Sequence, residues 1–255
     1  MGFISSTLFL SFPYFLGKNL FAAHRCFLNI FMQNSNMILT YRSIAGRGLY
    51  KQLEKHLGDK GYQEPWKRYE IITDIDEKLR QDKMPVFPYL ILGLHGGIEP
   101  IENIVFTLHR RIIGSRIFLI KYLDVKLNDR MKSHEMIKVP FLWEGMANIV
   151  FSIHAMPNEW LERKVAIGGL PKETQLKLSL IENFRSSVGL DAIIANGENG
   201  FKEKLVQGSS NTNPVNYTCK KEGVQIEFPE GLLKSGLHDE KIVDAIIDAL
   251  SSTWL

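Results

Sequence analysis

The stretch Leu90–Asn103, "LILGLHGGIEPIEN", decides how the rest of the chain reads. An apolar run enters it, and His95, Gly96, Gly97, Glu99 and Glu102 follow within eight residues. A run of this length bounded by glycines predicts a buried strand ending in a tight turn. Glycine allows that turn without a Cβ clash. Histidine and glutamate are unusual at the end of a buried strand, so the stretch is either a metal-binding strand terminus or a turn with polar decoration.

Working outward, "IENIVFTLHRRI" places Ile101, Ile104, Val105, Leu108 and Ile112 on one helical face. "RYEIIT", "SRIFLIKYL", "MANIVFSIHAM", "KVAIGGL" and "GVQIEF" read as strands. "KETQLKLSLIENFRSSVG" reads as an amphipathic helix with a glycine stop, and "DEKIVDAIIDALSSTW" as a closing helix. Residues 38–58 read as a helix from the four-residue spacing of Leu49, Leu53 and Leu57. Strands alternating with helices predict an α/β fold with a mostly parallel sheet covered on both faces.

The 255 residues suffice for one sizeable domain, expected over 37–255 after an apolar appendage at 1–36. The appendage carries no charge from Gly2 to Gly17. That stretch is too short to span a bilayer as a helix and lacks the early positive charge of a secretion signal. A cytoplasmic place is therefore expected ahead of a secreted or membrane-associated one, with membrane contact left open to this segment alone. The net charge of +3 would not drive nucleic-acid binding, yet it tolerates an anionic substrate. The two cysteines, Cys26 and Cys219, have no metal-ligand spacing, so any metal must be held by histidine and carboxylate.

Open α/β sheets place their sites beyond the carboxyl ends of their strands. Three strand ends carry reactive groups: His95 with Glu99, then His154, then Glu227. Two histidines and one carboxylate form a common catalytic zinc set, and a further glutamate outside that set can act as general base. Any one of these histidines taken alone is more often a structural hydrogen-bonding residue, and Glu227 alone reads as a strand-edge carboxylate. His109 and His134 lie in polar runs and are expected on the surface.

"HGGIEP", "FSIHAM", "VAIGGL" and "GVQIEF", in that order from about residue 68 onward, resemble the phage-type poly-γ-glutamate hydrolases. The resemblance implies a zinc-carboxypeptidase-like three-layer α/β/α fold with a mixed sheet. It implies one zinc ion held by His95, Glu99 and His154, with Glu227 as general base. The implied reaction is hydrolysis of γ-glutamyl amide bonds in an anionic polymer or peptide, by a protein expected to be a monomer. The sequence departs from the family in three places. The glycine run has two residues where the family has three, which makes Glu102 a fallback ligand. Tyr217 follows Asn216 where the family has arginine, and Leu233 stands in place of a second arginine. Asn216, Lys220, Lys221 and Lys234 are the substrate-binding candidates left nearby, although exposed lysine is the ordinary reading of the last three.

Overall fold

The computed structural model describes residues 27–33, 36–43, 51–75, 85–132, 135, 142–198 and 200–252. Residues 1–26, most of the expected appendage, lie outside the described residues, as does His134. Among the described residues, no helix is long and apolar enough to cross a membrane.

The strands are β1 (Phe27–Gln33), β2 (Asn36–Ser43), β3 (Tyr69–Thr73), β4 (Phe87–Gly96), β5 (Ser115–Tyr122), β6 (Ala147–Met156), β7 (Val165–Gly168), β8 (Ala192–Ile194) and β9 (Cys219–Pro229). They form one sheet in the order β1-β2-β3-β5-β4-β6-β9-β7-β8. The seven strands from β3 onward are the mixed body of the α/β fold: β5, β4, β6 and β9 run parallel, while β3 and β7 pair antiparallel with their inner neighbours. The hairpin β1–β2 extends the edge beyond β3. The span 38–58, expected as one helix, is strand as far as Ser43. Among the described residues of this span, α1 (Lys51–Asp59) is the helical part, while "MILTY" is rich in the β-branched and aromatic residues that favour a pleated strand.

Alternation along the central strands divides the core. Ile91, Ile117, Leu119, Phe151, Ile153, Val224 and Ile226 pack with α2 (Glu102–Arg111), α3 (Gln175–Asn183) and the closing helix α7 (Asp239–Ser252) on one face. Leu90, Leu92, Leu94, Phe118, Ile120 and Val150 pack on the other face with Leu53 and Leu57 of α1 and with Trp143 and Val215. A strand side chain changes face at every residue, so each continuous apolar run feeds both layers. Three short helices complete the second half: α4 (Phe201–Val206), α5 (Pro214–Tyr217) and α6 (Glu230–Ser235). These, and the three-residue β8, are too short to leave a periodic pattern. His109 is half-buried, in contrast to the surface position expected. Its Nδ1 contacts Ser115 Oγ at 3.0 Å and its Nε2 lies 3.8 Å from Asp74.

The chain order explains where a site can form. From β4 the chain crosses to β5 on one side, then returns past β4 to place β6 on the other. This reversal opens a crevice at the carboxyl ends of β4 and β6, the usual ligand position in open α/β sheets.

Candidate metal centre

His95, His154 and Glu227 stand at the carboxyl ends of β4, β6 and β9, three adjacent parallel strands. His154 and Glu227 are register partners. On β4 the register with β5 slips between Gly93 and Gly96, with one extra residue on β4. Such bulges re-aim side chains beside functional sites, and this one lies at His95. The turn that follows needs its glycines. Gly97 has φ 79°, and a Cβ there would stand 2.1 Å from the Tyr122 carbonyl oxygen.

The two-glycine loop returns Glu99 to the strand end. The Glu99 N–H donates to the His95 carbonyl at 2.9 Å, and the Glu99 carboxylate lies 2.9 Å from His95 Nδ1 and 3.4 Å from His154 Nδ1. Glu102 takes another role: its carboxylate accepts from the Gly97 N–H at 2.7 Å and closes the loop. One donor atom each from His95, Glu99 and His154 lies within 4.8 Å of the others. The three residues are only 3%, 4% and 2% exposed, which sets them apart from an ordinary solvated acidic cluster. This group could hold a metal ion.

The proton positions around His95 argue for a cation. Its Nε2 lies 2.8 Å from the Met131 carbonyl oxygen, an atom that can only accept. That nitrogen therefore carries a proton. Its Nδ1 faces the Glu99 carboxylate, also an acceptor. With Glu99 held in its ionised form by the two histidines, acceptors on both ring nitrogens are satisfied by a doubly protonated ring or by a metal ion between Nδ1 and the carboxylate. Tetrahedral zinc with bonds near 2.0–2.1 Å sets its ligand atoms roughly 3.3 Å apart, close to the contacts seen here. On His154, Nε2 contacts Ser152 Oγ at 2.8 Å, which leaves its Nδ1 directed to the same carboxylate. Partners on the far ring nitrogens are what metal-ligating histidines ordinarily have. The donor set therefore fits zinc.

Charge is distributed unevenly between the two carboxylates. Burial pushes Glu99 upward, but the neighbouring His95 and His154 outweigh it and hold the carboxyl well below the usual range. Glu227 is buried with weaker compensation and is pushed up to about 7. Burial is the main cause and the charge of Glu99 adds to it, against the opposing pull of His154. Gln225 Nε2 donates to Glu227 Oε1 at 2.9 Å, and Asn213 Nδ2 donates in turn to Gln225 Oε1 at 2.9 Å. Glu227, His95, Glu99 and His154 all line one cleft of about 520 Å³.

The substrate-binding candidates fall elsewhere. Lys220 and Lys221 are exposed at the opposite end of β9, about 20 Å from Glu227 at ~3.3 Å per residue. Lys234 is ion-paired with Glu230 at 2.6 Å. Asn216 ties loops together, donating to the carbonyls of Gly208 and Ser210 and accepting from the Leu170 N–H. Ser152, Gln225, Met131 and Arg130 emerge only from the structure. The first two could have been found from strand period, since each stands two residues before a site residue and shares its face. Arg130 and the Met131 carbonyl come from a loop that carries no such signal.

The fold occurs in solved structures. A structure described as "YNDL-apo (Zinc-free)" matches with TM-score 0.56 and 18% identity, over 77% of this chain and 95% of that one. A bacteriophage poly-gamma-glutamate hydrolase matches with TM-score 0.55 and 16% identity, over 73% of this chain and 90% of that one. At these identities the likeness establishes the fold. No family model and no curated protein matches the sequence.

Proposed function

We propose that the chain is a zinc-dependent hydrolase of amide bonds whose substrates are anionic γ-glutamyl polymers or peptides. The observation that carries this reading is the buried convergence of His95, Glu99 and His154, with acceptors on both nitrogens of His95 and Glu227 on the next strand. The bacteriophage neighbour, a poly-gamma-glutamate hydrolase, supports the substrate class.

His95 Nδ1, His154 Nδ1 and a Glu99 oxygen would hold the ion. When bound, it would lower the pKa of a water from 15.7 to about 7 and offset charge developing on the amide oxygen. Glu227 takes a proton from the attacking water and returns it to the departing amine. Burial raises this carboxyl toward neutrality, the direction that favours carrying the proton from water to amine, while the charge of a bound ion would oppose it. Gln225 keeps one Glu227 oxygen occupied, so the other remains for the water. Met131 and Ser152 fix the histidine rings. The burial of all four groups keeps bulk water from competing with the bound amide.

Metal analysis after purification without chelator, with hydrolysis of poly-γ-glutamate before and after chelation, tests the reading. One zinc per chain, loss of cleavage on chelation and return with zinc are expected. Glu227→Gln should retain zinc while lowering turnover by roughly 10²–10⁴-fold; full activity in that variant removes Glu227 from the mechanism. A second reading, a catalytically impaired relative that binds rather than cleaves, is favoured by Tyr217 and Leu233 in place of arginines. It predicts no turnover, and zinc far below one ion per chain after purification without chelator would favour it.

A further inference from the structure

The cations that face the cleft come from neither of the two positions where the related motifs carry arginine. Arg130 lies just after a short turn at Leu127–Asp129, and its Nη1 donates to the Leu127 carbonyl at 2.8 Å. That bond holds the guanidinium beside Glu99, with Nε 3.4 Å from Glu99 Oε1. The same Nε is buried and makes no hydrogen bond among the described residues. Lys132 and Lys204 also line the cleft, from two separate segments, and neither ammonium pairs with a carboxylate among the described residues. Glu230, another lining residue, is already engaged by Lys234.

Glu99 therefore serves several partners at once. Oε1 faces His95 and Arg130, and Oε2 faces His154 and accepts from the Ala155 N–H at 2.9 Å. A metal ion bound by Glu99 draws that charge away from Arg130. A partly buried guanidinium that loses its counter-ion carries an uncompensated desolvation cost, which an entering anion relieves. Guanidinium also matches a carboxylate with two parallel N–H groups, which a lysine cannot do.

We propose that Arg130 is the specificity residue that binds a carboxylate of the substrate in this cleft. Metal binding at Glu99 releases it for that role, and Lys132 and Lys204 supply flanking positive charge. This rests on the metal-hydrolase reading above and deepens it, assigning recognition of the free carboxylate beside the amide to Arg130 in place of the absent arginines.

The test is calorimetric titration with glutarate, followed beside zinc content. Zinc-loaded wild type should bind glutarate at least tenfold more tightly than the metal-free protein. Arg130→Gln, loaded to the same zinc stoichiometry, should lose at least tenfold, which separates the guanidinium from direct binding of glutarate to the ion. Glu99→Gln removes the competing charge without any metal. Metal-free Glu99→Gln should therefore bind glutarate at least tenfold more tightly than metal-free wild type, and adding Arg130→Gln should abolish the gain. Equal affinity of zinc-loaded wild type and Arg130→Gln overturns the assignment, as does no gain in a folded Glu99→Gln. If Glu99→Gln fails to fold by circular dichroism, the zinc-loaded pair decides. If no zinc binds, the metal reading fails by itself, and the metal-free comparison still decides the role of Arg130.

Discussion

Two single residues show how narrowly the centre is built. Gly97 must be glycine, because its φ is positive and its missing Cβ leaves room for the Tyr122 carbonyl. Gly97→Ala should cost about 2 kcal/mol or more in urea denaturation. It should also weaken zinc binding at least tenfold, because Glu99 follows two residues later on the same turn. Ser152 acts through His154, contacting the ring nitrogen that faces away from Glu99. Ser152→Ala should lower zinc affinity by about 10–100-fold in a chelator competition, with little change in the far-ultraviolet circular dichroism.

At the scale of elements, the site depends on how loops are tied behind the strands. Lys177 of α3 is wholly buried and donates to the carbonyls of Gly169 and Pro171 in the turn after β7. Burial pulls this ammonium down to about 8 from its ordinary 10.5, against the opposing charge of Glu222. Between those values the unfolded chain binds the proton more often than the fold does, so stability rises with pH across this window. Below about pH 8 both states hold the proton, and the full cost of burying the charge is present. Lys177→Met removes the effect. Between pH 8 and pH 10 the stability of wild type minus that of Lys177→Met should rise by about 2 kcal/mol, the slope approaching ~1.4 kcal/mol per pH unit only midway between the two values. A flat difference across this range would show that the lysine keeps its ordinary titration.

For the whole molecule, the centre draws on β4, β6, the loop after β4 and the loop that carries Arg130 and Met131, so an ion held there would be coupled to global folding. An ion that binds the folded state alone stabilises it by about 4 kcal/mol at a free concentration a thousand times Kd. Zinc should raise the Tm by several degrees. Chelation should reverse the shift, and His154→Ala should not show it. An equal rise in His154→Ala would place the ion elsewhere.

Much of this arrangement was legible in the sequence. Apolar runs and helical spacing marked the central strands and the helices that cover them, because burial imposes a period of 2 or 3.6 on any chain that folds this way. The polar groups breaking those runs, His95, His154 and Glu227, marked the strand ends where sites form. The sequence by itself therefore determined the α/β class, the central strands and the candidate donors. Tertiary structure alone decided that a two-glycine turn brings Glu99 onto His95, that β4, β6 and β9 lie side by side, and that Arg130 rather than Lys220 or Lys221 faces the cleft. The reason is physical: periodicity records which face of an element is buried, whereas strand order and loop closure depend on contacts between segments far apart in the chain.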